Sequence, residues 1–201
     1  ICGKYGVQVQ HVLEKVAQLP TAPTTICPLH GPVLQGEALD EALRLYHIWA
    51  HYEVETPGIF IAHASIHGGT AKAAECLRTK LLEAGCPKVA IADLCREDMA
   101  EAIEDAFRYG TLVCCASSYD GDVFPPMHYF LHKLSIKGYQ RRRIALLENG
   151  TWAPSAARAM KEIIGKMKDI ELIDPVVTIR SRMKQEDMPS IDRLVKALIA
   201  E

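Results

Sequence analysis

No stretch of this chain approaches the ~20 consecutive apolar residues that a membrane-crossing helix needs, and no secretory leader opens it. Internal repeats and low-complexity tracts are missing as well. The seven cysteines include no CxxC pair and are odd in number, so no disulfide framework is written in their spacing. Such a pattern fits buried thiols in a reducing compartment, and hence the cytoplasm. Cys114 and Cys115 lie inside an apolar run. Strong charge of either sign is lacking too: the net charge of −2 excludes a general nucleic-acid binder. The one basic run, QRRRI at 140–144, reads as a solvated strand edge. What the chain does have is 201 residues, about half of them apolar, enough for one domain with a sizeable core or one domain with a piece of another. Ile1 stands where an initiator Met would, and a helical pattern follows almost at once, so the chain is expected to begin inside a larger protein.

From residue 57 onward, apolar runs alternate with helical patterns. GIFIAHA (58–64) reads as a strand covered on both faces, and KVAIADL (88–94), TLVCCAS (111–117) and RRIALLE (142–148) read as the next three strands. DIELIDPVVTIR (169–180) reads as a fifth strand, placed at an edge because Pro175 interrupts its ladder. Between and after them the 3.6-residue period predicts helices over 70–84, 96–109, 127–134, 155–167 and 190–199, with Gly85 and Gly110 closing the first two. The expected fold is α/β, an open five-stranded parallel sheet with helices on both faces, in the flavodoxin-like order 2-1-3-4-5. Residues 1–56 differ. They predict helices over 4–19 and 39–52, a short strand with a Pro/Gly loop over 24–36, and a linker, VETPG, at 54–58.

In such sheets ligands bind beyond the carboxyl ends of the strands. Three loops there draw attention. SIHGGT comprises Ser65, Ile66, His67, Gly68, Gly69 and Thr70. It opens a helix with glycines and hydroxyls, and helix-start N–H groups bind phosphate without help from Lys or Arg. A plain capped strand-to-helix turn fits the hexapeptide equally well. It is not GxxxxGK[ST], which argues against a nucleotide triphosphatase. SSYDGD comprises Ser117, Ser118, Tyr119, Asp120, Gly121 and Asp122, and the third loop carries Asn149, Gly150, Thr151, Trp152 and Ala153. Tyr119 and Trp152 are placed to stack on a planar ring, or simply to cover the sheet end. A phosphate, a flat ring and no acid set for phosphotransfer point to FMN as cofactor.

With these loops on the page, a resemblance follows. AHASIHGGT, ASSYDGDVFPP and NGTWAP occur in the order and spacing seen in the flavodoxin-like domain of the flavodiiron proteins, also called A-type flavoproteins. Residues 57–199 resemble that domain. His67 replaces a more usual aromatic or Thr, and Ser117-Ser118 a more usual Pro-Thr. ICPLHGPV at 26–33 is similar to the end of the family's metallo-β-lactamase-like domain, and LYHIWAHYE at 45–53 to its connecting helix. Residues 1–56 are thus expected to be a remnant of that domain plus a linker helix, followed by an FMN-binding domain at 57–201.

The resemblance implies an electron-transfer module. Electrons would come from rubredoxin or a related donor and pass to a di-iron centre of a second subunit, in a parent homodimer or homotetramer that reduces oxygen or nitric oxide. It places a metal ligand at His30, in the intact parent only, because the other ligands lie upstream of this chain. One imidazole without neighbouring carboxylates does not hold iron firmly. His47 and His51, four apart on one helix, read either as a metal pair or as packing. No catalytic residue, nucleic-acid partner or membrane partner is expected within the chain. The rival readings are a stand-alone NAD(P)H-dependent quinone reductase of the same fold and a flavin-free interaction domain.

Overall fold

A computed structural model describes residues 2–200. Ile1, on which the reading of the chain's start rests, and Glu201 lie outside the described residues, as does the side chain of Cys2. The chain divides into two compact units, Ile1–Glu55 and Thr56–Glu201.

The first unit consists of α1 (Cys2–Ala17), β1 (Thr25–Ile26), β2 (Leu34–Gln35) and α2 (Glu37–Ala50). The two helices are tied where Gln10 Nε2 donates to the Ala50 carbonyl at 2.6 Å and the Tyr52 hydroxyl to the Gly3 carbonyl at 2.7 Å. The Pro/Gly loop closes back on itself, because β1 and β2 pair as a two-residue antiparallel ladder. His30 sits exposed in the turn between them. The rings of His47 and His51 lie 4.0 Å apart by centroid, and Nδ1 of His51 is 2.8 Å from the His47 carbonyl oxygen. That nitrogen is engaged with its own helix, and His47 is exposed.

The second unit begins inside what the sequence suggested was a linker, since Thr56 already pairs with Tyr109. Its elements are β3 (Thr56–Ala64), α3 (Gly69–Glu83), β4 (Val89–Asp93), α4 (Met99–Arg108), β5 (Tyr109–Tyr119), β6 (Asp122–Val123), α5 (Pro125–Ile136), β7 (Gln140–Asn149), α6 (Ala156–Ile164), β8 (Lys168–Ile179) and α7 (Met188–Ile199). The parallel sheet runs β4-β3-β5-β7-β8, the order 2-1-3-4-5 counted along the long strands. Because helices cover both faces of β3, β5 and β7, Phe60 to Ala64, Leu112 to Ala116 and Ile144 to Leu147 are all buried. One face packs under α4, α5 and α6 around Phe60, Leu112, Phe130 and Met160. The other packs under α3 and α7 around Ile61, Val113, Leu77 and Leu194. Cys114 and Cys115 go to opposite faces and are fully buried, and burial pushes both thiols far up. Cys27 and Cys95 are exposed, so the reading of buried thiols holds for only part of the set.

Three details depart from the sequence pattern. Gly110 does not end a helix: α4 stops at Arg108, and Gly110 is the second residue of β5. SSYDGDVFPP is not a long loop. Asp120 and Gly121 (φ 50° and 74°) form a tight turn that folds β6 back on β5, pairing Tyr119 with Asp122 and Ser118 with Val123. Positive φ at both central residues is what a two-residue hairpin of the sheet's twist demands, and Asp-Gly supplies it. Pro175 sits at an edge as expected, within a register shift where the ladder passes from Ala145–Ile173 to Leu147–Val177.

The basic run also differs. Arg142 is buried at 4% exposure. Its guanidinium donates to the carbonyls of Phe107 at 2.7 Å, Tyr109 at 2.9 Å and Arg141 at 3.0 Å, filling acceptors left where α4 gives way to β5. Arg143 reaches the Ala197 carbonyl of α7 at 3.1 Å. Both are structural donors rather than a solvated edge. Replacing Arg142 by Met strands buried acceptors, so urea unfolding should show a loss of about 2–4 kcal/mol. A loss under 0.5 kcal/mol, the range of a neutral surface change, would show that this network holds nothing.

Candidate functional site

The carboxyl ends of β3, β5 and β7 lie side by side. The segments leaving them, residues 65–70, 117–121 and 149–153, line one cleft of about 910 Å³. The structure therefore brings together every cleft residue anticipated from sequence except Asp122. That residue is in β6, where its carboxylate accepts from the Val123 N–H at 2.6 Å and its carbonyl from the Ser155 hydroxyl at 3.0 Å.

At one end of the cleft, α3 begins. Its N-cap is Gly68, left-handed at φ 82°, and no side chain caps it. Three other helices at this end of the sheet, α4, α5 and α6, are closed. Asp98 accepts from the Ala100 N–H of α4 at 2.7 Å. α5 begins on two prolines, which have no N–H to offer. At α6 the Ser118 hydroxyl accepts from the Ser155 and Ala156 N–H groups at 2.8 and 3.2 Å, and Glu148 from Ala157 at 2.8 Å. The start of α3 therefore keeps its donors and the positive end of its dipole for something else. Beside it, Ser65 is 5% exposed and its hydroxyl has no hydrogen-bond partner. Thr70 is buried, and its hydroxyl lies 2.8 Å from that of Ser117, which ties the first loop to the second.

The cleft also carries aromatic surface. Trp152 is 83% exposed and Tyr119 44% exposed, with the Tyr119 ring leaning on Phe124 at 5.6 Å between centroids. Ile66 adds apolar surface to the same lining.

The sequence reading missed a fourth segment. Arg180, Ser181, Arg182 and Lys184, which follow β8, line the same cleft, as does Lys72 of α3. Asn149 Nδ2 donates to the Ser181 carbonyl at 2.8 Å, and the Ser181 hydroxyl is 3.3 Å from that of Thr151. The Ser181 carbonyl also crowds Gly69: a Cβ on that glycine would stand 2.4 Å from it. The signal was available, since this segment too leaves the carboxyl end of a strand. The lining holds four cations against the single carboxylate of Asp120.

Below the first loop, His63 is 8% exposed, and its Nδ1 has no hydrogen-bond partner; the Asp93 carboxylate is 4.0 Å away, too far for a bond. Burial draws its pKa below the ordinary value, outweighing the pull of Asp93 and Glu97. The Cys95 thiol donates to the Ser65 carbonyl at 3.9 Å, and partial burial raises its pKa, which keeps that donor protonated. Among the described residues, no group of three or more His, Cys, Asp and Glu side chains converges as a metal site.

No protein-family model matches the chain, and no curated protein sequence matches it. Solved structures do. The rubredoxin oxygen:oxidoreductase of Desulfovibrio gigas superposes with a TM-score of 0.87 at 17% identity, over 97% of this chain and 48% of that one. The flavodiiron protein of Giardia intestinalis gives 0.85 at 15% identity, over 98% and 48%. An archaeal flavodoxin gives 0.59 at 17% identity, over 68% of this chain and 92% of that one. The fold is thus the flavodoxin fold, and the chain spans about half the length of the flavodiiron structures it matches.

Two outcomes test this geometry in the ligand-free protein. Gly69→Ala forces a Cβ against a backbone carbonyl, so it should cost about 1–3 kcal/mol in urea unfolding; stability equal to wild type would show that the 180–184 segment yields freely. For His63, folding favours the neutral ring, so the unfolded chain binds more protons. Stability is then complete above the ordinary imidazole value of about 6.5 and falls as pH drops through and below it. His63→Gln should flatten that acid-side loss, and an unchanged pH profile would refute the assignment.

Proposed function

We propose that Thr56–Glu201 is an FMN-binding electron-transfer module. The observation that carries this is the pairing of an uncapped α3 start and a buried, partnerless Ser65 hydroxyl with two exposed aromatics, Tyr119 and Trp152, lining the same cleft. These residues fit a phosphate monoester attached to a flat ring. The N–H groups of 68–70 and the Ser65 hydroxyl would hold the phosphate. Tyr119 and Trp152 would cover the ring and exclude water from it. The turn at Asp120-Gly121 would approach its edge. FMN, when bound, accepts and releases electrons singly or in pairs. The chain's own part is to bind, orient and shield it; no residue in the cleft is needed to make or break a bond.

The match to flavodiiron structures supports a finer reading. In a longer parent protein this module would receive electrons from rubredoxin or a related donor and pass them to a di-iron centre of a second subunit, in a homodimer or homotetramer that reduces oxygen or nitric oxide. His30, exposed in its turn, would ligate iron only with ligands supplied by the rest of that protein.

The test is a titration of the purified chain with FMN, followed by visible absorption and flavin emission. Binding should quench the emission strongly, and Trp152→Ala should relieve the quenching. Ser65→Ala should weaken binding by roughly 1–3 kcal/mol, as for a lost bond to a charged group. A chain that leaves the spectrum and emission of added FMN unchanged is not a flavin module.

A further inference from the structure

The phosphate cradle read from SIHGGT contains no cation, yet the folded cleft is lined by four. We infer that the segment after β8 is a fourth binding loop, in which Arg180 and Arg182, supported by Lys72 and Lys184, supply positive charge to the phosphomonoester end of the ligand. The inference rests on the FMN reading for the identity of that ligand, but not for its charge.

The loop is held in place at the phosphate end. Ser181 adopts a left-handed conformation, φ 67°, rarely taken by residues other than glycine. Its carbonyl is fixed by Asn149 at 2.8 Å and packs so closely on Gly69 that no side chain fits there, while its hydroxyl meets Thr151 at 3.3 Å. Arg180 and Arg182 are therefore the chain neighbours of a residue in direct contact with the start of α3.

Their charge has no internal use. Arg142 and Arg143, by contrast, spend their guanidinium groups on carbonyls of the fold. Among the described residues, Arg180, Arg182 and Lys72 have no ion pair and no side-chain hydrogen bond, and only Lys184 is engaged, with Glu186 at 3.1 Å. Like charges gathered in one cleft repel each other, and a dianion bound among them relieves that repulsion. The buried Ser65 hydroxyl without a partner is a second, independent mark of an anion at this end.

The experiment compares FMN, riboflavin and inorganic phosphate on the intact chain, using flavin emission and phosphorus NMR at low and high sodium chloride. For wild type, FMN affinity should fall with salt while riboflavin affinity does not. The double substitution Arg180→Gln/Arg182→Gln should weaken FMN by about three- to tenfold, the scale of exposed charge pairs, leave riboflavin unchanged and reduce the salt dependence. Arg180→Lys/Arg182→Lys should restore most of the loss, which a merely structural role would not allow. If FMN binds equally well to wild type and the Gln variant, with the same salt response, the inference is overturned and the flavin reading stands. If neither flavin binds but phosphate binds in an arginine-dependent way, the anion site stands and the flavin reading falls. Binding of none of the three overturns both.

Discussion

Helix starts at the carboxyl end of a parallel sheet are all potential anion sites, and a protein that needs one must neutralise the rest. Here the neutralising devices differ at each helix: a carboxylate cap at α4, prolines at α5, a serine and a buried glutamate from neighbouring strands at α6. Of the helices that follow β3, β4, β5 and β7, only α3 opens on glycine with no side chain in place. The constraint propagates outward. Keeping those N–H groups open requires a left-handed Gly68, a side-chain-free Gly69 where another backbone passes, and a Thr70 whose hydroxyl is tied back to Ser117 rather than to its own helix. The loops are arranged around what α3 does not bond.

The sheet itself was legible because a parallel strand with neighbours on both sides has no polar face to hide. Apolar runs at 58–64, 88–94, 111–117 and 142–148 read as strands and are strands; 58–64, 111–117 and 142–148 prove central, while 88–94 lies at an edge. Pro175 marked an edge for a reason that survives in the structure: it has no N–H to give to a ladder. Boundaries were less legible where a long-range partner outvotes local chemistry. Gly110 looks like a helix stop, but Tyr109 is already paired across the sheet and its carbonyl is claimed by Arg142. The same arginine looked solvated, because one-dimensional pattern gives no hint that three chain carbonyls converge on it.

The cleft divides along the same line. Its three recognisable loops announce themselves by residues whose chemistry is local: Gly-Gly-Thr at a helix start, Asp-Gly in a turn, Trp in a tip. SRMK after the fifth strand has no such signature. Its key residue, Ser181, takes a glycine-like conformation without being glycine, and it is stabilised by Asn149 and Thr151, thirty and more residues earlier. Asp-Gly at 120–121 could have been read as a hairpin turn from the dipeptide alone. The 180–184 segment could have been found only by applying the strand-end rule without exception.

These two kinds of loop give the cleft both charge and aromatic surface, which neither gives alone. The start of α3 and the anchored 180–184 segment bring helix-start N–H groups and cations to the cleft, while the Tyr119 turn and the Trp152 tip add aromatic surface and the one lining carboxylate, Asp120. A ligand with charge at one end and a flat, weakly polar body at the other is matched twice: by attraction to the cations, and by the desolvation a misplaced charge would suffer among the aromatics. Such an arrangement fixes orientation before it adds affinity. Under the proposed electron-transfer role orientation would matter most, because the ring would have to lie where Trp152 and Tyr119 meet solvent.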